Sequence, residues 1–307
     1  MATRDDFEIC IICALPLEAN AVQALFEEVK EENPLGKAPD DTNTYSTGKI
    51  GNHNVVLVYM PSMGKVPAAG VSVNLKQSFK NIRLALLVGI CGGVPGKTAE
   101  GVMLGDIIVG KQIVHYDFGR QYENGFVMKD GPEDSLGRQG PEIRSFVKKL
   151  EAGKEALGKK LSDYLDSALK HWGPEKINSL EDVLFPSDYW HVHQTPGSCS
   201  GGKCRNLSDL CEAALKASCE DLGCDTAESE RPPELLRRQS PSIYFGSVAS
   251  GDKVMRSATL RDSIAQREGE PSKAAKPRGG PVFNNNNSKI GNQAETMTFS
   301  GNTTFSF

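Results

Sequence analysis

The chain has 307 residues, 38% of them hydrophobic, and a net charge of −4. That length holds one large α/β domain with tails, and the slightly acidic balance does not suggest a nucleic-acid partner. No apolar run approaches membrane-spanning length and the opening Met1-Ala-Thr-Arg-Asp-Asp-Phe-Glu8 lacks the apolar core of a signal peptide, so a cytoplasmic or nuclear protein with no membrane contact is expected, cytoplasmic first.

In chain order, Phe7 to Ala14 reads as a buried strand. Leu17 to Glu32 reads as a helix, with Ala21, Val22, Leu25, Phe26 and Val29 at helical spacing. Val55 to Met60 is a second strand and Val66 to Phe79 a second helix. Next comes Leu84-Ala-Leu-Leu-Val-Gly-Ile-Cys-Gly-Gly93, a solid apolar run emptying into a glycine turn, which reads as a fully buried parallel strand. Residues 105–110 and 112–117 read as two short strands, Glu142 to Leu150 and Lys154 to Trp172 as helices. Residues 173–240 form an irregular insertion rich in Ser, Pro, Cys and charge. Ser242 to Ala249 is a further strand, and Lys253 to Arg267 a helix. The alternating β/α order, which holds up to about residue 130, predicts an α/β domain.

The C-terminal ends of such strands are where α/β folds place ligands, so the turn after Val88 carries most of the functional question. Gly92-Gly-Val-Pro-Gly-Lys-Thr98 nearly spells a P-loop, but Cys91 stands where its first glycine belongs and no long helix follows. A dinucleotide fingerprint needs a helix straight after its glycines and an acidic residue at the end of the next strand, and neither is visible. The remaining reading is a glycine turn for a small oxyanion or a sugar.

Five segments then occur in a telling order: Ala14-Leu-Pro-Leu-Glu18-Ala, Met63-Gly-Lys-Val66, Val88-Gly-Ile-Cys-Gly-Gly93, Leu104-Gly-Asp-Ile-Ile-Val109 and Ala249-Ser-Gly-Asp252. Together they resemble the nucleoside phosphorylase family over about residues 7–267, closest to the branch of methylthioadenosine/adenosylhomocysteine nucleosidases and the phosphorylase-like domains of fungal NACHT and ankyrin proteins. The resemblance implies a three-layer α/β fold with a mixed, largely parallel central sheet flanked by helices, and cleavage of a purine nucleoside at its N-glycosidic bond, by water or by inorganic phosphate as co-substrate, with no metal or organic cofactor. It implies that Glu18 activates the attacking water, that Gly64, Gly92 and Gly93 enclose the ribose side and the phosphate or water, and that Ser250 and Asp252 line the base and ribose pocket. Read from local chemistry alone, Glu18 is equally a helix-start glutamate and Asp252 equally the cap of the helix after it. Gly89, Gly105 and Asp106 read as structural.

The family pattern stops near Arg267-Glu-Gly269. The glutamate that grips the ribose hydroxyls and the aspartate that protonates the base are not found downstream, so the last strands of the sheet are expected to be missing. An unpaired apolar edge, and with it self-association into a homo-oligomer, follows. A domain over 1–269 is thus expected, then a linker over 270–283 and an Asn-rich tail over 284–307. The tail weakly resembles fungal amyloid signalling motifs but reads first as a disordered polar segment. The alternative to an enzyme is a non-catalytic nucleoside-sensing module whose tail assembles with a partner. Within the insertion, His191, His193 and five cysteines from Cys199 to Cys224 fall close together; without a tight CxxC pair they read as a reduced, variable loop ahead of a zinc site.

Overall fold

The computed structural model describes residues 2–27, 35–95, 101–129, 139–172, 182–195, 211–231, 240–253 and 257–269, with a few single positions between them. The expected linker and tail, 270–307, lie outside the described residues, as do residues 28–32 of the predicted first helix, which among the described residues ends sooner than expected, at Gln23.

Strand β1 (Ile9–Cys13) runs into helix α1 (Pro16–Gln23). A hairpin of β2 (Thr44–Ile50) and β3 (His53–Tyr59) follows, then α2 (Lys65–Ser78) and β4 (Leu84–Leu87). The sheet order is β2-β3-β1-β4, antiparallel between β2 and β3 and parallel elsewhere. Both faces of β1 and β3 are covered, which is why their sequences are almost uninterrupted apolar runs. Cys10, Ile12, Val56 and Val58 pack toward Val71, Leu75 and Phe79 of the α2 segment. Their neighbours Ile11, Cys13, Val55 and Leu57 pack with Ala19, Val22 and Phe26 of the α1 segment. The result is a three-layer unit. Burial pushes the Cys10 thiol up to about 12, so it stays protonated and behaves as a small hydrophobe.

Strand β2 was not foreseen. It is joined to α2 by a buried polar network in which the Asp41 carboxylate accepts hydrogen bonds from Tyr45 Oη at 2.7 Å, the Asn43 N–H at 2.8 Å and Ser78 Oγ. Burial alone would raise the Asp41 carboxyl; these donors outweigh it and hold the group below the ordinary range.

The second half is built differently. The two strands expected over 105–117 are one, β5 (Ile107–His115), whose register shifts between Gly110 and Gln112. That bulge let one strand read as two. It pairs in parallel with β8 (Ile243–Ser250), while β6 (Gly119–Tyr122) and β7 (Gly125–Met128) form an unforeseen hairpin. Helices α3 (Pro141–Ala152) and α4 (Lys154–Trp172) match expectation, and α7 (Ala258–Gly269) starts later than expected, at Ser257, whose Oγ accepts the Leu260 N–H. Among its described residues the insertion carries two short helices, α5 (Glu212–Lys216) and α6 (Cys219–Leu222).

One expectation fails outright. β4 is not fully buried: Leu86 and Leu87 are 39% and 73% exposed, and Cys91 is exposed too. Among the described residues β4 pairs only with β1, and β5 pairs with β8 in a separate sheet, so nothing covers the outer side of β4.

Candidate functional site

The parallel strands all end on the same side of their sheets, and every candidate residue lies at such a strand end or in the segment that follows one. Glu18 sits in the first turn of α1, immediately after β1, and is buried. Its Oε2 accepts the Ala14 and Leu15 N–H groups at 3.1 and 2.9 Å, which makes it a cap for its own helix. Its Oε1 accepts the Ile90 N–H at 2.9 Å, which a cap does not need. The carboxylate therefore clamps the end of β1 to the glycine turn after β4. Gly89 is required for that clamp, because a Cβ there would lie 2.8 Å from Glu18 Oε1. Three donors occupy three of about four acceptor positions on the carboxylate and leave one open.

Gly92 and Gly93 follow at the exposed end of this turn. A Cβ on Gly92 would meet nothing within 4 Å, so the local backbone leaves open space beside it; one on Gly93 would lie 2.8 Å from Val102 Cγ1. Val102 is fixed in turn from the insertion. Arg231 Nη1 donates to the Val102 carbonyl at 2.9 Å and pairs at 2.8 Å through Nη2 with Asp182, whose other oxygen accepts the Leu104 N–H at 3.0 Å. Both side chains of that pair are under 10% exposed. The two ends of the insertion thus form a buttress behind the glycine turn.

A second cluster forms where α2, β5 and β8 meet. Gly64 holds φ at +120°, a conformation suited to glycine, and its N-terminal position on α2 lets the Lys65 N–H reach Asp252 Oδ1 at 2.7 Å. Asp252 therefore caps α2, not the helix after it as local reading suggested. The Lys65 ammonium donates to Asp117 Oδ1 at 2.7 Å and lies 3.6 Å from Asp252, while Asp117 Oδ2 accepts the Asp252 N–H at 2.7 Å. Burial works against the Asp117 carboxylate, but the Lys65 and Asp252 donors keep it below the usual range; the Asp117 hydrogen bond in turn raises Lys65. Ser250, half-buried, ends β8, with its carbonyl accepting the Tyr116 N–H at 3.3 Å. Asp106 is structural, accepting the Met103 and Ser242 N–H groups at 2.7 Å each.

So Glu18 joins the glycine turn and Gly64 joins Asp252, while Ser250 stands two residues before Asp252 at the end of β8. Sequence reasoning missed Lys65 and Asp117. Lys65 stood in the motif quoted for Gly64, and Asp117 ended a predicted strand, but only the fold pairs them. A cleft of about 430 Å³ beside Arg4, Asp5, Gln77 and Lys80 lies near the N-terminal ends of β1 and β4, away from all of these residues.

The sequence profile of the phosphorylase superfamily matches residues 8–272. The chain belongs to that superfamily. Within it, a nucleotide-binding leucine-rich repeat (NLR)-like protein of Hyaloscypha variabilis is 28% identical over 280 residues, covering 86% of this chain and 24% of that protein. A 5′-methylthioadenosine/S-adenosylhomocysteine nucleosidase of Thermotoga maritima is 34% identical over 106 residues, 34% of this chain and 46% of that enzyme. The chain thus spans less than half the length of these relatives. Among solved structures, the corresponding nucleosidase of Neisseria meningitidis superposes with a TM-score of 0.35 at 18% identity, over 50% of this chain and 58% of that one. The superfamily match contains every candidate residue from Glu18 to Asp252, and among the described residues no helix is long and apolar enough to cross a membrane.

Proposed function

We propose that this phosphorylase-superfamily chain binds a purine nucleoside beyond the C-terminal ends of β1, β4, β5 and β8 and cleaves its N-glycosidic bond. The observation that supports this best is the Glu18 carboxylate, fixed by three backbone N–H groups against the glycine turn with one acceptor position left over. In the hydrolytic course that position takes a proton from water as the water oxygen bonds to the sugar C1′. The electron pair of the C1′–N bond passes to the purine, which gains a proton from solvent. A negative carboxylate held rigidly nearby stabilises the cationic sugar that develops on the way. In the phosphorolytic course a phosphate oxygen attacks instead and needs no base. Gly92 and Gly93 hold the nucleophile, and Gly64, Ser250 and Asp252 border the ribose and base. No cofactor takes part in either course.

The test is release of free base from adenosine, inosine, guanosine and methylthioadenosine, with and without phosphate, by wild type and Glu18→Gln. Removing the base should lower phosphate-independent release by about 10² to 10⁴ and leave phosphate-dependent release largely intact. The amide also sets its NH₂ against at least one backbone N–H that the carboxylate accepted, so the variant should melt earlier, by about 1–3 kcal/mol. Hydrolysis at the wild-type rate would reduce Glu18 to a helix cap.

The NLR-like relative favours a second reading, in which the same domain senses a nucleoside within a larger protein without turning it over. Calorimetric binding of a nucleoside with no base released over hours would select it.

A further inference from the structure

The insertion between α4 and β8 gathers cysteines and histidines that the site above does not use. His193, Cys199, Cys204 and Cys211 form one group and His191, Cys219 and Cys224 another, with the potential ligand atoms of each group all within 4.8 Å of one another. The geometry points to two zinc ions, one enclosed by His193, Cys199, Cys204 and Cys211 and one held by His191, Cys219 and Cys224 with its fourth position open to water.

Zinc bonds of about 2.3 Å to sulfur and about 2.0 Å to nitrogen, arranged tetrahedrally, set ligand atoms about 3.5–3.8 Å apart. In the first group Cys199 Sγ lies 3.2 Å from Cys204 Sγ, and Cys211 Sγ lies 3.4 Å from His193 Nε2. In the second, Cys219 and Cys224 Sγ each lie 3.7 Å from His191 Nδ1. A disulfide would bring the first pair of sulfurs to about 2.05 Å, well inside the observed 3.2 Å, and none of these cysteines is disulfide-bonded.

Two further features fit thiolate ligands. The Cys211 N–H donates to Cys204 Sγ and the Ala214 N–H to Cys211 Sγ, each at 3.3 Å, which are the outer-shell donors a metal-bound sulfur takes. Among its described residues the insertion also has only a small buried core. Its buried cluster is Cys204, Ala214 and Leu222, and the residues packed around it include Cys199, Cys211 and Cys224. Helices of five and four residues, α5 and α6, do not persist without an external hold. Cross-linking by metal supplies one, as in other small domains with little core. Four protein ligands make the first site closed and structural; three leave the second open. Through Asp182 and Arg231 the ordered insertion then keeps Val102 against the glycine turn.

The full-length protein, purified reduced from zinc-containing medium and freed of loosely held metal, should carry two zinc equivalents by plasma emission. Cys204→Ser should lower this to one, and Cys219→Ser should do the same. Cobalt(II) in place of zinc should show thiolate charge-transfer and tetrahedral d–d bands, weakened in either variant. Should a variant fail to fold, the wild-type stoichiometry and cobalt spectrum still decide. A single equivalent, lost in Cys204→Ser but kept in Cys219→Ser, overturns the three-ligand centre. No retained zinc in reduced, folded protein, or a Cys199–Cys204 disulfide in its mass spectrum, overturns both.

Discussion

The two halves of this chain reach the same goal, a row of strand ends carrying polar groups, by opposite means. In residues 2–95 the sheet is covered by α1 on one face and α2 on the other, and Val55, Val56, Leu57 and Val58 are at most 2% exposed. The site group set on that base, Glu18, is held by backbone N–H donors alone. In residues 101–269, by contrast, β5 and β8 form a two-stranded sheet in which Ile243 is the one residue of β8 that is buried. Its site groups, Asp117 and Asp252, are held by an ion network that reaches across to Lys65 of the first half. A packed layer can fix a carboxylate through the main chain; a thin one has to recruit an ion network.

Core truncation should separate the halves most. Leu57→Ala removes a side chain sealed between β3 and α1 and should cost about 2–5 kcal/mol in urea denaturation. Val248→Ala, at a half-buried position of β8, should cost about 1 kcal/mol. Equal losses would mean that the second sheet is as well supported as the first.

Next in size is a contrast within one turn. Gly89→Ala drives a methyl group to 2.8 Å from Glu18 Oε1, so either the carboxylate leaves Ile90 or the turn shifts; overpacking of this kind costs about 1–3 kcal/mol. Gly92→Ala, three residues on, meets open space and should leave the melting temperature unchanged. Nucleoside cleavage should fall in the first variant even at temperatures where it remains folded.

Much of the first half was legible in the sequence because burial on both faces leaves an apolar run with no polar interruption, as in Ile9-Cys-Ile-Ile-Cys13. β2 was not, since Thr44-Tyr-Ser-Thr-Gly-Lys-Ile50 buries Tyr45 and Ser46, whose hydroxyls bond Asp41 and Tyr59. Polar residues that are satisfied inside look like surface residues on paper. Glu18 and Gly64 could be found because each ends or starts an element beside a recognisable motif. The Lys65–Asp117 pair could not, being 52 residues apart with nothing local to couple them. The cysteines and histidines of the insertion fall close together in sequence, but their sorting into two groups is not visible there, because the fold closes the second across the long separation from His191 to Cys219 and no short CxxC motif announces either.

The smallest effect expected at neutral pH is also the sharpest probe of the ion network. Asp117 has its carboxyl lowered in the folded protein, so the stability it adds is present above the unfolded value of about 3.9 and is lost as pH falls through the lower folded value. Lys65 is raised, so its share is present below about 10.4 and is lost as pH climbs past its folded value. Between those limits the link between α2 and the β5–β8 pair is intact. Lys65→Met deletes the main donor to Asp117 while the exposed position of the ammonium keeps the cost at pH 7 small, because solvent screens such pairs. Asp117 is then left with the Asp252 N–H and its own burial, so its carboxyl should titrate higher. Followed by circular dichroism, the acid transition of the variant should begin at higher pH than that of wild type, while Lys65→Arg should restore the original onset. An unchanged acid limb in Lys65→Met would show that the second half depends on packing, as the first does.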